Sequence, residues 1–261
     1  MTAADSESTR AVPGVFARLR WAWRCPTYAL VRLIFGSTSA RLRQLNLSRR
    51  TRSLSSILNA PATQIQTFLD ESRESPILRS VEQTRSALPY LGYFRGAPEL
   101  YSTIRALKPR RVIETGVGSG YSSTYILTAL RQNGGGRLYS IESLSMSQGW
   151  SLPSEKGPGF LVPTELRPDW DLIIGDSLEI LPDLLKSLGT IDMFFHDSDH
   201  SYDHMMGEFR LAFPYLANGG CLVSDDVTSN TAFLDFSRLF ERTPQLIYHH
   251  ETGSPFGAVV K

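Results

Sequence analysis

Two apolar runs in this chain end in clusters of acidic residues, Ile191-Asp-Met-Phe-Phe-His-Asp197-Ser-Asp199-His200-Ser-Tyr202 and Cys221-Leu-Val-Ser-Asp225-Asp226-Val227. If each run is a strand of one sheet, Asp197, Asp225 and Asp226 converge at one rim. Carboxylates held that close in a low dielectric repel one another strongly. A divalent cation resolves the conflict. Hard oxygen ligands suit Mg²⁺, with Mn²⁺ or Ca²⁺ as alternatives, and leave positions for water and for substrate oxygens. Acidic residues are abundant here, since Asp192, Asp199 and Asp203 also lie in the stretch, and Asp199 could stand in for Asp197. A plainer reading has the carboxylates capping helices or holding a substrate amine. His200 follows Asp197 by three residues and titrates near neutrality, which suits a proton acceptor. His196 and His204 flank it. Tyr202 and the pair His249-His250 read as packing or solvent-facing groups.

A second stretch, Arg111-Val-Ile-Glu-Thr-Gly-Val-Gly-Ser-Gly-Tyr-Ser-Ser123, reads as a buried strand passing through a glycine turn into a helix. Gly116, Gly118 and Gly120 let the backbone turn tightly and approach a ligand. A dinucleotide turn would be G-x-G-x-x-G, with a pyrophosphate on the helix N-terminus. Here the spacing is G-x-G-x-G, and Glu114 precedes it with a charge that opposes a pyrophosphate and suits a cationic ligand. A glycine-rich turn without a ligand is the bland alternative. The pattern E-x-G-x-G-x-G resembles the first motif of the class I S-adenosylmethionine-dependent methyltransferases. That resemblance implies that the loop backbone lies against the methionine part of the cofactor, with Glu114 helping to hold its amino end and Ser122 in the same set. Two further strand ends fit. Leu138-Tyr-Ser-Ile-Glu142 offers Glu142 where an α/β sheet presents a carboxylate to ribose hydroxyls. Leu172-Ile-Ile-Gly-Asp176-Ser177 offers Asp176 and Ser177, which the resemblance assigns to the adenine end, although Asp-Ser also caps helices.

The acidic clusters are similar to those of cation-dependent O-methyltransferases of the catechol type. They are nearer still to the cephalosporin-hydroxylase-like and sugar O-methyltransferase relatives, whose D-x-x-H-S/T-Y motif matches Asp197-Ser-Asp-His200-Ser201-Tyr202. The resemblance implies a metal held by Asp197, Asp225 and Asp226, with Asp197 also beside the cofactor. It further implies O-methylation of a small hydroxylated acceptor, a catechol, polyketide or sugar. Catechol enzymes carry a lysine where this chain has His200, which leaves the base open. A metal-independent N- or C-methyltransferase and a non-catalytic cofactor-binding scaffold are the alternatives.

Positioning these groups requires alternating strands and helices. Strands are expected at 111–115, 137–142, 171–175, 191–197, 219–225, 245–250 and 256–260, with helices at 121–132, 177–187, 203–216 and 230–241. Such alternation predicts a doubly wound, Rossmann-like α/β sheet with ligands at the carboxyl ends of its strands. The last two runs lie too close for a crossover helix, so residues 251–255 make a hairpin and one terminal strand is antiparallel. Ala97–Leu107 is an amphipathic helix stopped by Lys108-Pro109. Gln148–Asp169 is a Pro/Gly-rich lid or substrate wall, in which Trp150 and Phe160 could meet an aromatic acceptor or seal the loop.

At 261 residues and 41% hydrophobic, the chain can bury a full core. A net charge of +1 argues against bulk nucleic-acid binding. The charge is uneven, because residues 1–52 hold ten arginines against Asp5 and Glu7. Two units are expected: an Arg-rich helical extension over 1–85 and the methyltransferase domain over 86–261. Val15–Gly36 is apolar and aromatic, but four arginines and Pro26 interrupt it, so it does not span a bilayer. An arginine-decorated cap on the domain or on a second subunit, a helix lying on an anionic membrane surface, and an organellar leader are the readings it allows. Cys25 and Cys221 lie far apart in sequence and suggest a reduced, cytoplasmic compartment without a disulfide.

Overall fold

The computed structural model describes residues 53–88, 91–144, 152, 156–248 and 255–261. They fall in one compact unit, Gln44–Lys261. The Arg-rich segment with Cys25, together with Trp150 and His249-His250, lies outside the described residues.

Seven strands form one sheet: β1 Arg111–Thr115, β2 Arg137–Glu142, β3 Trp170–Ile174, β4 Ile191–His196, β5 Leu216–Ser224, β6 Gln245–Tyr248 and β7 Pro255–Val260. Their order is β3-β2-β1-β4-β5-β7-β6, parallel from β3 to β5, with β7 antiparallel to both β5 and β6. This is the expected doubly wound sheet with its terminal hairpin.

Side chains alternate strictly between its two faces. Val112, Met193, Phe195, Cys221 and Val223 point to one core. Helices α1 Leu54–Ile57, α2 Ala62–Glu74, α3 Pro76–Ser86, α4 Ala97–Leu107 and α5 Tyr121–Gln132 supply the rest of that layer. Ile113, Phe194, Leu222 and Val259 point to the other, beneath α6 Ser177–Leu188, α7 Tyr202–Ala212 and α8 Ala232–Leu239. Burial on both faces explains why these strands read as unbroken apolar runs. Cys221 is a buried free thiol, and burial pushes its pKa up to about 12.

Local chemistry sets the boundaries. Ser75 caps α3, accepting from the Leu78 amide at 3.4 Å, and Pro76 occupies the first helical position. Lys108 takes the left-handed conformation that ends α4 just before Pro109. The helix expected over 203–216 stops at Ala212, becomes a 3₁₀ turn over Phe213–Tyr215, and gives way to β5 at Leu216, three residues earlier than expected. Pro214 has no amide proton with which to continue the α-helical ladder. No helix among the described residues is long and apolar enough to cross a membrane.

Candidate active site

The register of the sheet builds the site. Thr115 of β1 pairs with His196 of β4, and His196 with Ser224 of β5. The ladder runs one residue further at each strand end: the Asp197 amide donates to the Thr115 carbonyl at 2.8 Å, and the Asp225 amide to the His196 carbonyl at 2.9 Å. Asp197 and Asp225 therefore stand side by side at the carboxyl rim, next to the glycine loop.

Each glycine of that loop answers a different demand. Gly116 has φ +83°, and a Cβ there would fall 2.0 Å from the Asp197 carbonyl oxygen, so the loop and the acidic turn touch through backbone alone. Gly120 has φ +86° and lies against Gly159 and Val162. Gly118 has φ +49°, and among the described residues a Cβ on it would meet nothing within 4 Å. The space at Gly118 is open. The 159–161 segment is stitched to the loop's other side, with Gly159 N–H donating to Gly118 O and Leu161 N–H to Ser119 O, both at 2.9 Å. Phe160 in this segment is partly buried against the core.

Glu114 is fully buried and enclosed by serines. It accepts from Ser122 at 2.6 Å, Ser123 at 2.7 Å and Ser140 at 2.6 Å, and Trp170 Nε1 donates to Ser140 Oγ at 2.8 Å. Burial raises its pKa in spite of these donors. Ser122, expected at the cofactor, thus spends its hydroxyl on Glu114. Glu142 is also buried, which raises its pKa, and it accepts from the amides of Val117 at 2.5 Å and Gly118 at 2.8 Å. It closes the glycine loop from the β2 side. Leu144 and Ile174, exposed apolar side chains, flank Glu142, Ile174 being its register partner on β3. Asp176 caps α6 by accepting from the Leu178 amide at 2.8 Å. The Ser177 hydroxyl turns inward to Glu208 and lies 2.9 Å from His204 Nε2.

At the acidic turn, Asp197, Asp225 and His200 each bring one ligand atom within 4.8 Å of the others. Asp226, the third ligand expected from sequence, stands apart from this group. Its side chain is 57% exposed, its backbone is left-handed at φ +49°, and Oδ2 lies 3.1 Å from His200 Nδ1. His200 Nε2 is buried, 3.6 Å from Asp197 Oδ1, with no hydrogen-bond partner among the described residues. Burial raises the Asp197 pKa well above the carboxylate range, reinforced by the charges of Asp225, Glu114 and Asp226, and it raises that of Asp225 as well. Burial alone would lower the His200 pKa, but the bond to Asp226 carries it above the usual imidazole value. Two neighbouring carboxyl groups and an imidazole nitrogen without a hydrogen-bond partner form a donor set that a divalent cation fits.

Sequence reasoning missed Glu208, a buried carboxylate of α7. It lies 2.6 Å from His196 Nδ1 and 3.0 Å from His204 Nε2, and accepts from Thr115 at 2.6 Å and Ser198 at 2.7 Å. A signal was present: Glu208 shares the apolar side of α7 with Met205, Phe209 and Ala212, where a lone acid is out of place.

The strand order and its antiparallel end are those of the Rossmann-like methyltransferase fold. Residues 113–227 match the family model of a methyltransferase domain. No curated protein matches the chain. Among solved structures, it is similar to an O-methyltransferase from Bacillus cereus in complex with S-adenosylhomocysteine, at 17% identity and TM-score 0.53, over 76% of this chain and 100% of that one. It is similar to the O-methyltransferase TomG from Streptomyces achromogenes, bound to S-adenosylmethionine, at 21% identity and TM-score 0.52, over 75% and 96%. The methyltransferase PaMTH1 from Podospora anserina, bound to S-adenosylhomocysteine, matches at 17% identity and TM-score 0.51, over 76% and 94%. These three likenesses concern the fold.

Proposed function

We propose that the protein transfers a methyl group from S-adenosylmethionine to an oxygen of a small hydroxylated acceptor, with a divalent cation such as Mg²⁺ at the acidic turn. The observation that carries this reading is the meeting of Asp197, Asp225 and His200 at the rim, beside an open glycine cradle. When bound, the cofactor supplies an electrophilic methyl carbon, and the cation lowers the pKa of an acceptor hydroxyl. Around them, Gly118 leaves room for the cofactor, Glu142 faces the loop from the ribose side, and Leu144 and Ile174 offer an apolar flank for a flat ring. Asp197 and Asp225 would hold the cation. His200, its Nδ1 steadied by Asp226, takes the acceptor's hydroxyl proton at Nε2.

The 4.8 Å grouping favours a second reading, in which His200 is itself a third ligand to the cation. Titrating Mn²⁺ into the wild type and His200→Ala separates the two. A base leaves Mn²⁺ affinity intact and removes turnover, whereas a ligand lowers the affinity.

The reading as a whole is tested by calorimetry with S-adenosylhomocysteine and by methyl transfer to a panel of catechols, polyketide phenols and sugars with and without EDTA. Binding with EDTA-sensitive transfer is expected. Transfer that survives EDTA, or survives Asp225→Ala and Asp226→Ala together, would overturn the cation's part, and product analysis that finds the methyl on nitrogen or carbon would leave a metal-independent N- or C-methyltransferase. Cofactor binding with no transfer to any acceptor would favour a scaffold.

A further inference from the structure

Glu208 does more than fill the core beneath the site. A buried carboxylate is costly unless its oxygens are satisfied, and this one gathers five partners from separate elements. Oε2 takes the Thr115 hydroxyl from the end of β1 and His196 Nδ1 from the end of β4. Oε1 takes Ser177 from the head of α6, Ser198 from the turn after β4, and His204 from its own helix. Ser177 adjoins Asp176 on the side of the rim read as the adenosine end, and Ser198 adjoins Asp197 on the side read as the acceptor end. A carboxylate only accepts, so His196 must donate from Nδ1 and carry its lone pair on Nε2. That Nε2 is buried without a hydrogen-bond partner among the described residues, and the ring stands edge-on to His200 at 5.4 Å between centroids.

We propose that Glu208 is a positioning residue that locks the turn Asp197–His200 against the turn Asp176–Ser177 and fixes the tautomer of His196. What the two turns hold rests on the methyltransferase reading above; the lock itself rests on the contacts alone. Burial keeps His196 below the usual imidazole range, which agrees with a neutral ring donating from Nδ1.

The test uses the full chain as wild type, Glu208→Gln and Ser198→Ala. An amide has one accepting oxygen, and three donors crowd Oε1 against two at Oε2, so the amide nitrogen should settle on the Oε2 side. Facing that N–H, His196 must accept at Nδ1 and carry its proton on Nε2. Nitrogen-15 NMR of the histidines should therefore show His196 changing tautomer, a signature that loss of packing alone would not produce. S-adenosylhomocysteine and Mn²⁺ should each bind about tenfold more weakly or worse, the range seen when outer partners of a site are removed. Ser198→Ala keeps the carboxylate and removes the turn after β4 from it, and it should weaken both ligands in the same direction with the fold intact. If Glu208→Gln fails to fold, Ser198→Ala decides the matter. Unchanged affinities in every variant that folds, or an unchanged His196 tautomer in folded Glu208→Gln, would overturn the proposal. A wild type that does not bind S-adenosylhomocysteine would instead overturn the methyltransferase reading, with the His196 signature still reporting on the lock.

Discussion

Asp197 and Asp225 carry a cost that the proposed cation would offset. Each is partly buried beside the other, and each has its pKa driven up. Sites that trade stability for function gain stability when the conflict is removed. Asp225→Asn is therefore expected to stabilise the ligand-free protein by about 0.5–2 kcal/mol and to abolish any rise in melting temperature on adding MgCl₂. Thermal unfolding of both proteins with and without the salt checks this, and a variant that is no more stable yet still responds to Mg²⁺ would refute it. The residue types of the site were legible in the sequence because an acid at the end of an apolar run has one place to go in an α/β sheet. Their partners were not. Ser122 and Ser123 come from α5 and Ser140 from β2, so the cage around Glu114 exists only once β1 and β2 are paired. Asp226 directly follows Asp225, and the sequence shows neither its left-handed backbone nor its exposed side chain.

At the scale of elements, the strand–loop–helix unit from β1 to α5 makes two separate demands on glycine. Gly116 is needed for folding, because any side chain there collides with the backbone of the acidic turn. Gly118 is free of that demand, because among the described residues its surroundings are empty and only a positive φ resists substitution, and the proposed function gives it to the cofactor. Gly116→Ala should lower stability severely or prevent folding. Gly118→Ala should fold at a cost of about 1 kcal/mol and yet lose S-adenosylhomocysteine binding, with Gly118→Arg losing it entirely. Chemical denaturation paired with calorimetry separates the two effects. If Gly118→Arg folds and still binds the cofactor product, the cradle lies elsewhere. Periodicity located every strand of the sheet, since runs buried on both faces and bounded by turn residues are hard to misread. It overran the helix at 203–216 because Leu211, Phe213 and Leu216 continue an apolar pattern across Pro214. The missing amide proton outweighed that pattern.

At the scale of the whole molecule, the helices before the glycine loop carry no motif, yet they help to build the core. Phe68, Leu78 and Val81 of α2 and α3 are buried in the same cluster as Leu100, Tyr101 and Ile104 of α4 and as Val112 and Phe195 of the sheet. A polar knot ties the layer: Tyr101 donates to Glu71 at 2.9 Å, Arg105 Nε to the same carboxylate at 3.1 Å, and Asn133 Nδ2 to the Ile104 carbonyl at 2.8 Å. The guanidinium of Arg105 also lies over the Phe68 ring at 4.9 Å. Further along, Tyr121, the first residue of α5 beyond the glycine loop, donates to Glu82 of α3 at 2.7 Å. The N-terminal helices therefore hold the helix that carries the cradle. Fully burying one large apolar side chain contributes about 1.5–3 kcal/mol, and α2 and α3 bury Ile65, Phe68, Leu78 and Val81. Removing these together withdraws about as much free energy as separates most folded domains from their unfolded state. A chain beginning at residue 87 should therefore be insoluble or molten. One beginning at residue 53 should unfold cooperatively and bind S-adenosylhomocysteine. Near-ultraviolet circular dichroism and calorimetry on the two lengths make the comparison. Cooperative unfolding and unchanged cofactor binding in the shorter chain would show that α1–α3 are an appendage rather than part of the catalytic core.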